Sequence, residues 1–318
     1  WLAQRLEAGQ GALLGDDMGL GKTLQSIAII RHLLKRSPPG TQTLVISPKS
    51  LVTNWLAEFQ RFAPDLKVLV MQGSKRQEFQ DSFCDYNVII TSYGLISRDL
   101  ELYKTTRFAL GVVDEASFLR NPDTETARAV RQLNFGARLA LTGTPVENGV
   151  RDLWSIFEVV LPGYLGTRQS FQERFEKPMK SSSHPESINA ASRLRRLIRP
   201  FYLRRTKKEV LKDLPEKIEQ VFWCEMSPAQ SEIYRRILEE GREEVRAARR
   251  RSGQGGARMT MLTVLLRLRQ VCCDIRLAGL DREKIEGLPA DELSGKWPGL
   301  AQRLDEVLAG GGKALIFS

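Results

Sequence analysis

Nowhere does the sequence run for the roughly 20 consecutive apolar residues that a membrane-spanning helix needs, and its start lacks the basic, apolar and small-residue succession of a secretion signal. No membrane partner is therefore expected, and the expected localisation is cytoplasmic, in association with the nucleoid. Soft metal ligands are also scarce. Four cysteines (Cys84, Cys224, Cys272, Cys273) and two histidines (His32, His184), with no C-x-x-C pair, make neither a disulfide framework nor a zinc site. The cysteines are expected to be reduced and structural. No internal repeat is visible, and acid is in deficit: 38 Asp and Glu stand against 48 Lys and Arg, a formal net charge of +10. That excess suits a polyanionic partner, although charge alone speaks only to solubility and non-specific attraction.

What is present is enough apolar material for a sizeable core, 42% of 318 residues, and a length that favours about two domains. Up to about residue 160, short β-rich runs alternate with helical stretches, the pattern of a parallel sheet covered by helices. The clearest strands are 43–47, 68–71, 87–91, 110–114 and 138–142, all continuously apolar, which implies burial on both faces. Beyond Pro162 such runs become scarce and helical stretches take over. Ser181 to Pro185 reads as a loop. Ser227-Pro228 opens an amphipathic helix to about Arg251, with Ser as cap and Pro at the first position. The run Arg249 to Gly256 reads as a basic, mobile loop, and Ala314 to Ser318 as a strand entered from a glycine turn. Both ends read as cuts through a longer protein.

The residues that carry chemistry follow the apolar runs, where open α/β sheets bind ligands. After Ala12-Leu13-Leu14 comes Gly15-Asp16-Asp17-Met18-Gly19-Leu20-Gly21-Lys22-Thr23. Gly19 and Gly21 allow a tight turn whose N–H groups, with the positive end of the following helix, can cradle phosphates. Lys22 would reach the β- and γ-phosphates and Thr23 would place its hydroxyl on Mg²⁺. The strict phosphate-loop pattern wants Gly where Asp16 stands, and a glycine turn before a solvated Lys is the plain alternative. The second signal is Asp114-Glu115, directly after a buried strand. Asp114 could hold the Mg²⁺ shell and Glu115 polarise the attacking water; an exposed helix start is the other reading of such a pair. The third is Thr142-Gly143-Thr144-Pro145, whose hydroxyls could sit beside the γ-phosphate and sense hydrolysis, or simply form a turn. Between Arg193 and Lys217 ten basic side chains face three acidic ones. Such a patch would attract phosphates in a salt-dependent way and reads equally as a solvated face.

Taken in order, these segments resemble motifs I, Ia, Ib, II and III of the Swi/Snf-type ATPases of helicase superfamily 2. They are Asp16 to Thr23, Ser47 to Trp55 with Glu58-Phe59, Thr91-Ser92-Tyr93, Asp114 to Ser117, and Leu141 to Asn148 with Asp152 to Ser155. Leu203 to Lys207 with Leu214 to Lys217, Leu268 to Cys273 and Ser294 to Lys296 continue the resemblance, which covers nearly the whole chain.

The resemblance implies a RecA-like α/β lobe at 1–162, a helical insertion region with the basic cluster at 163–290, and at 291–318 the start of a second, truncated RecA-like lobe. It implies an ATP- and Mg²⁺-dependent motor that translocates on double-stranded DNA and remodels or displaces DNA-bound proteins. A strand-separating helicase, an RNA-polymerase-recycling ATPase and a nucleotide- or DNA-binding scaffold without turnover are the alternatives. Residues 16–23 would bind ATP, with Lys22, Asp114 and Glu115 catalytic and Thr23 and Asp114 on Mg²⁺. Ser117, Thr142, Gly143 and Thr144 would couple hydrolysis to lobe movement. Ser47, Lys49, Thr91, Ser92, Arg204, Arg205 and Lys207 would contact the DNA backbone. Three departures qualify the match. The adenine-reading glutamine motif would lie before Trp1; Ser117 stands where the family commonly has His; and motifs V and VI would follow Ser318. This chain alone is thus expected to bind Mg·ATP and turn it over slowly.

Overall fold

The computed structural model describes residues 1–317 apart from 74–78, 80–81, 145–148, 181–183, 214, 216–217 and 280–286. Motif segments at 145–148, 214 and 216–217, and most of the loop expected at 181–185, therefore lie outside the described residues. The chain forms two compact units, Trp1–Pro215 and Glu216–Ser318.

The first unit is built on a seven-stranded sheet of β1 (Ala12–Leu14), β2 (Thr43–Ser47), β3 (Val68–Val70), β4 (Val88–Ser92), β5 (Arg107–Val113), β6 (Asn134–Leu141) and β7 (Tyr202–Leu203), in the spatial order β3-β4-β2-β5-β6-β1-β7. Every strand pairing is parallel, which requires cover on both faces. Alternation along the strands supplies it. Leu13, Leu44, Ile46 and Ile89 enter one apolar cluster, together with Leu153, Ile156 and Phe157 of the helix Val150–Val160. Leu14, Val45, Val88 and Ile90 enter the other, with Ile27 and Ile30 of the helix Lys22–Leu34 and Trp55 and Phe59 of the helix Val52–Phe62. The uninterrupted apolar strands are thus buried on both sides, as expected, in a RecA-like sheet.

Residues 163–215, expected to belong to the helical insertion, pack within the first unit. The helix His184–Ile198 adds Leu194 and Ile198 to the first cluster, and β7 extends the sheet beside β1. Apolar burial and ladder bonds therefore hold residues 163–215 in the first unit.

In the second unit Ser227 caps the helix Pro228–Cys273 reciprocally with Gln230, with Pro228 at the first position. The basic run 249–256 is helical rather than a loop, broken only at Gly253 (φ 65°, ψ −156°), which an L side chain rarely adopts. There the helix folds back on itself. Gln230 Nε2 donates to the Val271 carbonyl at 2.7 Å, and Ile237, Val264, Leu268 and Val271 share one small core. The strand expected at 314–318 is not formed: 312–317 carry no regular structure, and the described residues of this unit contain no strand to pair with them. Among the described residues no helix is long and apolar enough to cross a membrane.

Candidate active site

Because β5, β6, β1 and β7 are neighbours and parallel, their carboxyl ends open on one edge of the sheet. The segments that follow them, 114–115, 142–144, 15–21 and 204–207, are thereby brought together, as expected of a ligand-binding edge.

Gly19 (φ 86°) and Gly21 (φ 75°) turn the phosphate loop through backbone space open chiefly to glycine. Gly21 caps the helix Lys22–Leu34 with no side-chain bond, so first-turn N–H groups remain for an anion. Lys22 Nζ donates to the Asp16 carbonyl at 2.8 Å and the Asp17 carbonyl at 3.3 Å, folding over the loop it would leave to meet phosphates. A cavity of about 460 Å³ lies on the flank of the same helix, lined in part by Trp1, Gln25, His32 and Arg205.

Asp114 is buried. Trp55 Nε1 donates to its Oδ2 at 2.8 Å and the Glu115 amide to its Oδ1 at 2.9 Å. Burial pushes its carboxyl above the usual range, against those bonds and the pull of the Lys22 ammonium. Glu115 is also raised, by burial first and then by the charge of Asp114, with Lys22 and Arg120 opposing. Lys22 thus acts electrostatically on both carboxyls, and the three residues expected to be catalytic share one site. Glu115 is the one described non-glycine residue at positive φ (φ 48°, ψ 56°), a placement that costs on the order of 1–3 kcal/mol. Tyr93 Oη donates to the Asp114 carbonyl at 2.5 Å and lies 3.3 Å from the Glu115 carbonyl. Burial, then the two neighbouring carboxylates, raise the phenol's pKa well above its ordinary value.

The segment that follows Glu115 is tied to 142–144 through Arg120. The Ser117 hydroxyl turns back to the Glu115 carbonyl at 3.4 Å. Arg120 Nη2 donates to the Thr144 carbonyl at 2.8 Å and to its Oγ1 at 2.9 Å, while Arg120 Nε lies 3.8 Å from Asp152 Oδ2. Thr142 Oγ1 accepts from the Thr144 amide at 3.2 Å, and Met18 packs where a Cβ on Gly143 would sit, its Cγ 3.2 Å away.

Three residues expected at DNA, Arg204, Arg205 and Lys207, bond the phosphate loop. The Arg205 amide and Nε bond Asp16 Oδ1 at 3.0 and 3.1 Å, and its Nη2 bonds both Asp16 Oδ2 and Gln25 Oε1. Asp16 is fully buried; burial pushes its carboxyl up, but Arg205 and Gln25 outweigh that and hold it below the usual range. Arg204 bonds the Gly143 carbonyl at 3.2 Å and Asp17 Oδ1 at 3.3 Å, and the Lys207 amide donates to Asp17 Oδ2 at 3.0 Å. The Gly15 and Asp17 amides donate to the Leu203 and Arg205 carbonyls at 2.7 and 3.0 Å. Asp16, where the strict motif wants Gly, is thus the anchor for this strap. Among the other residues expected at DNA, Ser47 and Thr91 are fully buried, Ser92 nearly so, and Thr91 Oγ1 pairs with Tyr103 Oη at 2.9 Å. Lys49 is exposed.

Trp55, Tyr93 and Arg120 escaped the sequence reading. Trp55 and Tyr93 stand inside the segments that carry the resemblance, but nothing local shows that their polar atoms turn towards Asp114.

Comparison with known proteins shows the family and agrees with the fold. Residues 1–277 match the family model described as the SNF2-related domain. The chain is 37% identical over 278 residues to the Bacillus subtilis protein YwqA, covering 86% of this chain and 29% of that protein. It is 38% identical over 255 residues to the TATA-binding protein-associated factor MOT1 of Saccharomyces cerevisiae, covering 74% and 14%. It is 34% identical over 251 residues to the human chromatin-remodeling ATPase INO80, covering 74% and 16%. The chain's match therefore spans between 14% and 29% of the length of these relatives. Among solved structures, the Sulfolobus solfataricus SWI2/SNF2 ATPase core in complex with dsDNA superposes with a TM-score of 0.61 at 33% identity, covering 98% of this chain and 63% of that one.

Proposed function

The chain belongs to the SNF2-related family, and from that premise we propose that it forms the ATP-binding part of a motor that hydrolyses ATP to move along double-stranded DNA. The convergence of Lys22, Asp114 and Glu115 at one sheet edge carries this reading, because it unites a phosphate-binding ammonium with two carboxylates of different environment. The donor set suits Mg·ATP. An uncapped helix start and two glycine turns leave N–H groups for phosphate oxygens, and Thr23 with Asp114 would hold Mg²⁺, which when bound neutralises phosphate charge. Lys22 exchanges two loop carbonyls for phosphate oxygens, so the loop is preformed and the ligand replaces bonds already satisfied. Glu115, with its affinity for protons raised by burial, accepts the proton of the attacking water. The cavity beside Gln25 and Arg205 would receive the base.

Double-stranded DNA as the track is supported by the dsDNA complex of the Sulfolobus core, and action on DNA-bound protein by the name of INO80, a chromatin-remodeling ATPase. We assign the phosphate contacts to exposed Lys49 and to backbone at the ends of β2 and β4, since the side chains of Ser47 and Thr91 face inward. Residues 1–162 would form the nucleotide lobe, 163–290 the insertion, and 291 onward the start of the second lobe.

The test is Mg·ATP binding and hydrolysis with and without duplex DNA. Lys22→Ala should weaken nucleotide binding, and Glu115→Gln should bind as wild type does while losing turnover by a factor on the order of 100 or more. Equal affinity in wild type and Lys22→Ala, or hydrolysis that survives in Glu115→Gln, would refute the assignment.

A further inference from the structure

Glu115 adopts a left-handed backbone conformation, which persists only where the surroundings over-determine it. Two hydroxyls approach its carbonyl, Tyr93 Oη at 3.3 Å and Ser117 Oγ at 3.4 Å, and the shorter Tyr93 bond to the Asp114 carbonyl, at 2.5 Å, holds the peptide just before it. The Tyr93 ring is itself held. It is buried and stacks on Phe118 with centroids 5.1 Å apart and planes 10° from parallel. Phe118 lies in the short turn Ala116–Leu119 that follows Glu115, so the peptide held by the hydroxyl and the ring that holds the phenol belong to one segment. Phe118 is 57% exposed. A large apolar ring left so open has no core to fill, and the stack gives it a use. On its other side, Tyr93 follows directly on Ser92, the last residue of β4.

We propose that Tyr93 is a positioning residue for hydrolysis: its hydroxyl, steadied by the Phe118 stack, fixes the 114–115 backbone so that the Glu115 carboxylate points at the attacking water. The inference rests on the proposed function.

Tyr93→Phe keeps the ring and its stack and removes only the hydroxyl; Phe118→Ala removes the stack; Phe118→Tyr keeps it. ATP binding and single-turnover hydrolysis are measured on the full chain, with and without duplex DNA, after circular dichroism has verified each fold. In Tyr93→Phe the hydrolysis rate should fall on the order of 10- to 100-fold, the scale of a catalytic group displaced by about an ångström, with ATP affinity unchanged. Phe118→Ala should move in the same direction and Phe118→Tyr should match wild type. A Tyr93→Phe rate equal to wild type overturns the proposal. So does a loss of rate accompanied by an equal loss of ATP affinity and of melting temperature, since that marks a structural role. Absence of hydrolysis in wild type would instead overturn the function on which the proposal rests.

Discussion

Replacing Arg205 by Ala strips Asp16 of its guanidinium while leaving the carboxylate buried. Removing one partner of a fully buried ion pair costs about 3–5 kcal/mol. Here the Arg205 side chain is 42% exposed, so water can reach the gap, and the residue-205 amide and Gln25 still bond the carboxylate. Those retained bonds reduce the expected cost to about 1–3 kcal/mol. The sign with pH follows from the direction of the shift. Asp16 titrates below its ordinary value in the folded chain, so its stabilising contribution is complete above the unfolded value of about 3.9. It is lost as the pH falls through the lower folded value. Without Arg205 the same buried carboxylate costs stability at neutral pH and is relieved by protonation. Urea unfolding of wild type and Arg205→Ala from pH 7 down to pH 3.5 should therefore show a gap that is widest at neutral pH and narrows in acid. Adding Asp16→Asn should remove much of the cost of Arg205→Ala. A gap of constant size across that range, or additive losses in the double variant, would refute the pairing as the source of stability.

Two other substitutions test the frame. A Cβ on Gly11 would stand 1.9 Å from the Val160 carbonyl oxygen and 2.7 Å from its carbon; both belong to backbone that cannot swing aside, so Gly11→Ala should destabilise the first unit by about 3 kcal/mol or more, read as a fall in melting temperature. Arg120→Ala should leave ATP affinity near wild type and reduce DNA-stimulated turnover on the order of 10- to 100-fold, measured by steady-state hydrolysis, with Lys restoring only part because it lacks the two-pronged donor geometry.

The strands that bear motifs were legible because parallel strands buried on both faces are written as unbroken apolar runs, and β2, β4 and β5 fall within a few residues of where those runs stand. β7 was not legible: two residues long, it exists because its backbone pairs with β1, a contact made across about 190 positions of sequence. The same distance hid the destination of Arg204 and Arg205. A run of arginines shows charge, whereas the buried Asp16 that claims one of them is visible only once β1 and β7 lie side by side. Arg120 was not legible for a related reason. The Ser117 side chain is short and bonds the nearby Glu115 carbonyl, whereas Arg120, three residues on, has the reach to Thr144. The helix expected to stop at Arg251 continues past it because the break depends on the conformation of Gly253 and on packing between residues some twenty to forty apart.

β1 sits between β6 and β7, so the phosphate loop that follows it is braced from two sides. On one side Met18 meets Gly143, and on the other the Gly15 and Asp17 amides are bonded to the backbone at 203 and 205. Lys22 closes the same loop from within. A ligand that draws Lys22 away from the Asp16 and Asp17 carbonyls therefore acts on two peptides whose side chains hold Arg205, Arg204 and the Lys207 amide. Residue 207 lies eight positions before Pro215, where the first compact unit ends. The glycine loop is thus bonded directly to the segment that leads out of its own unit, and Arg204 and Arg205 act there as a strap on that loop.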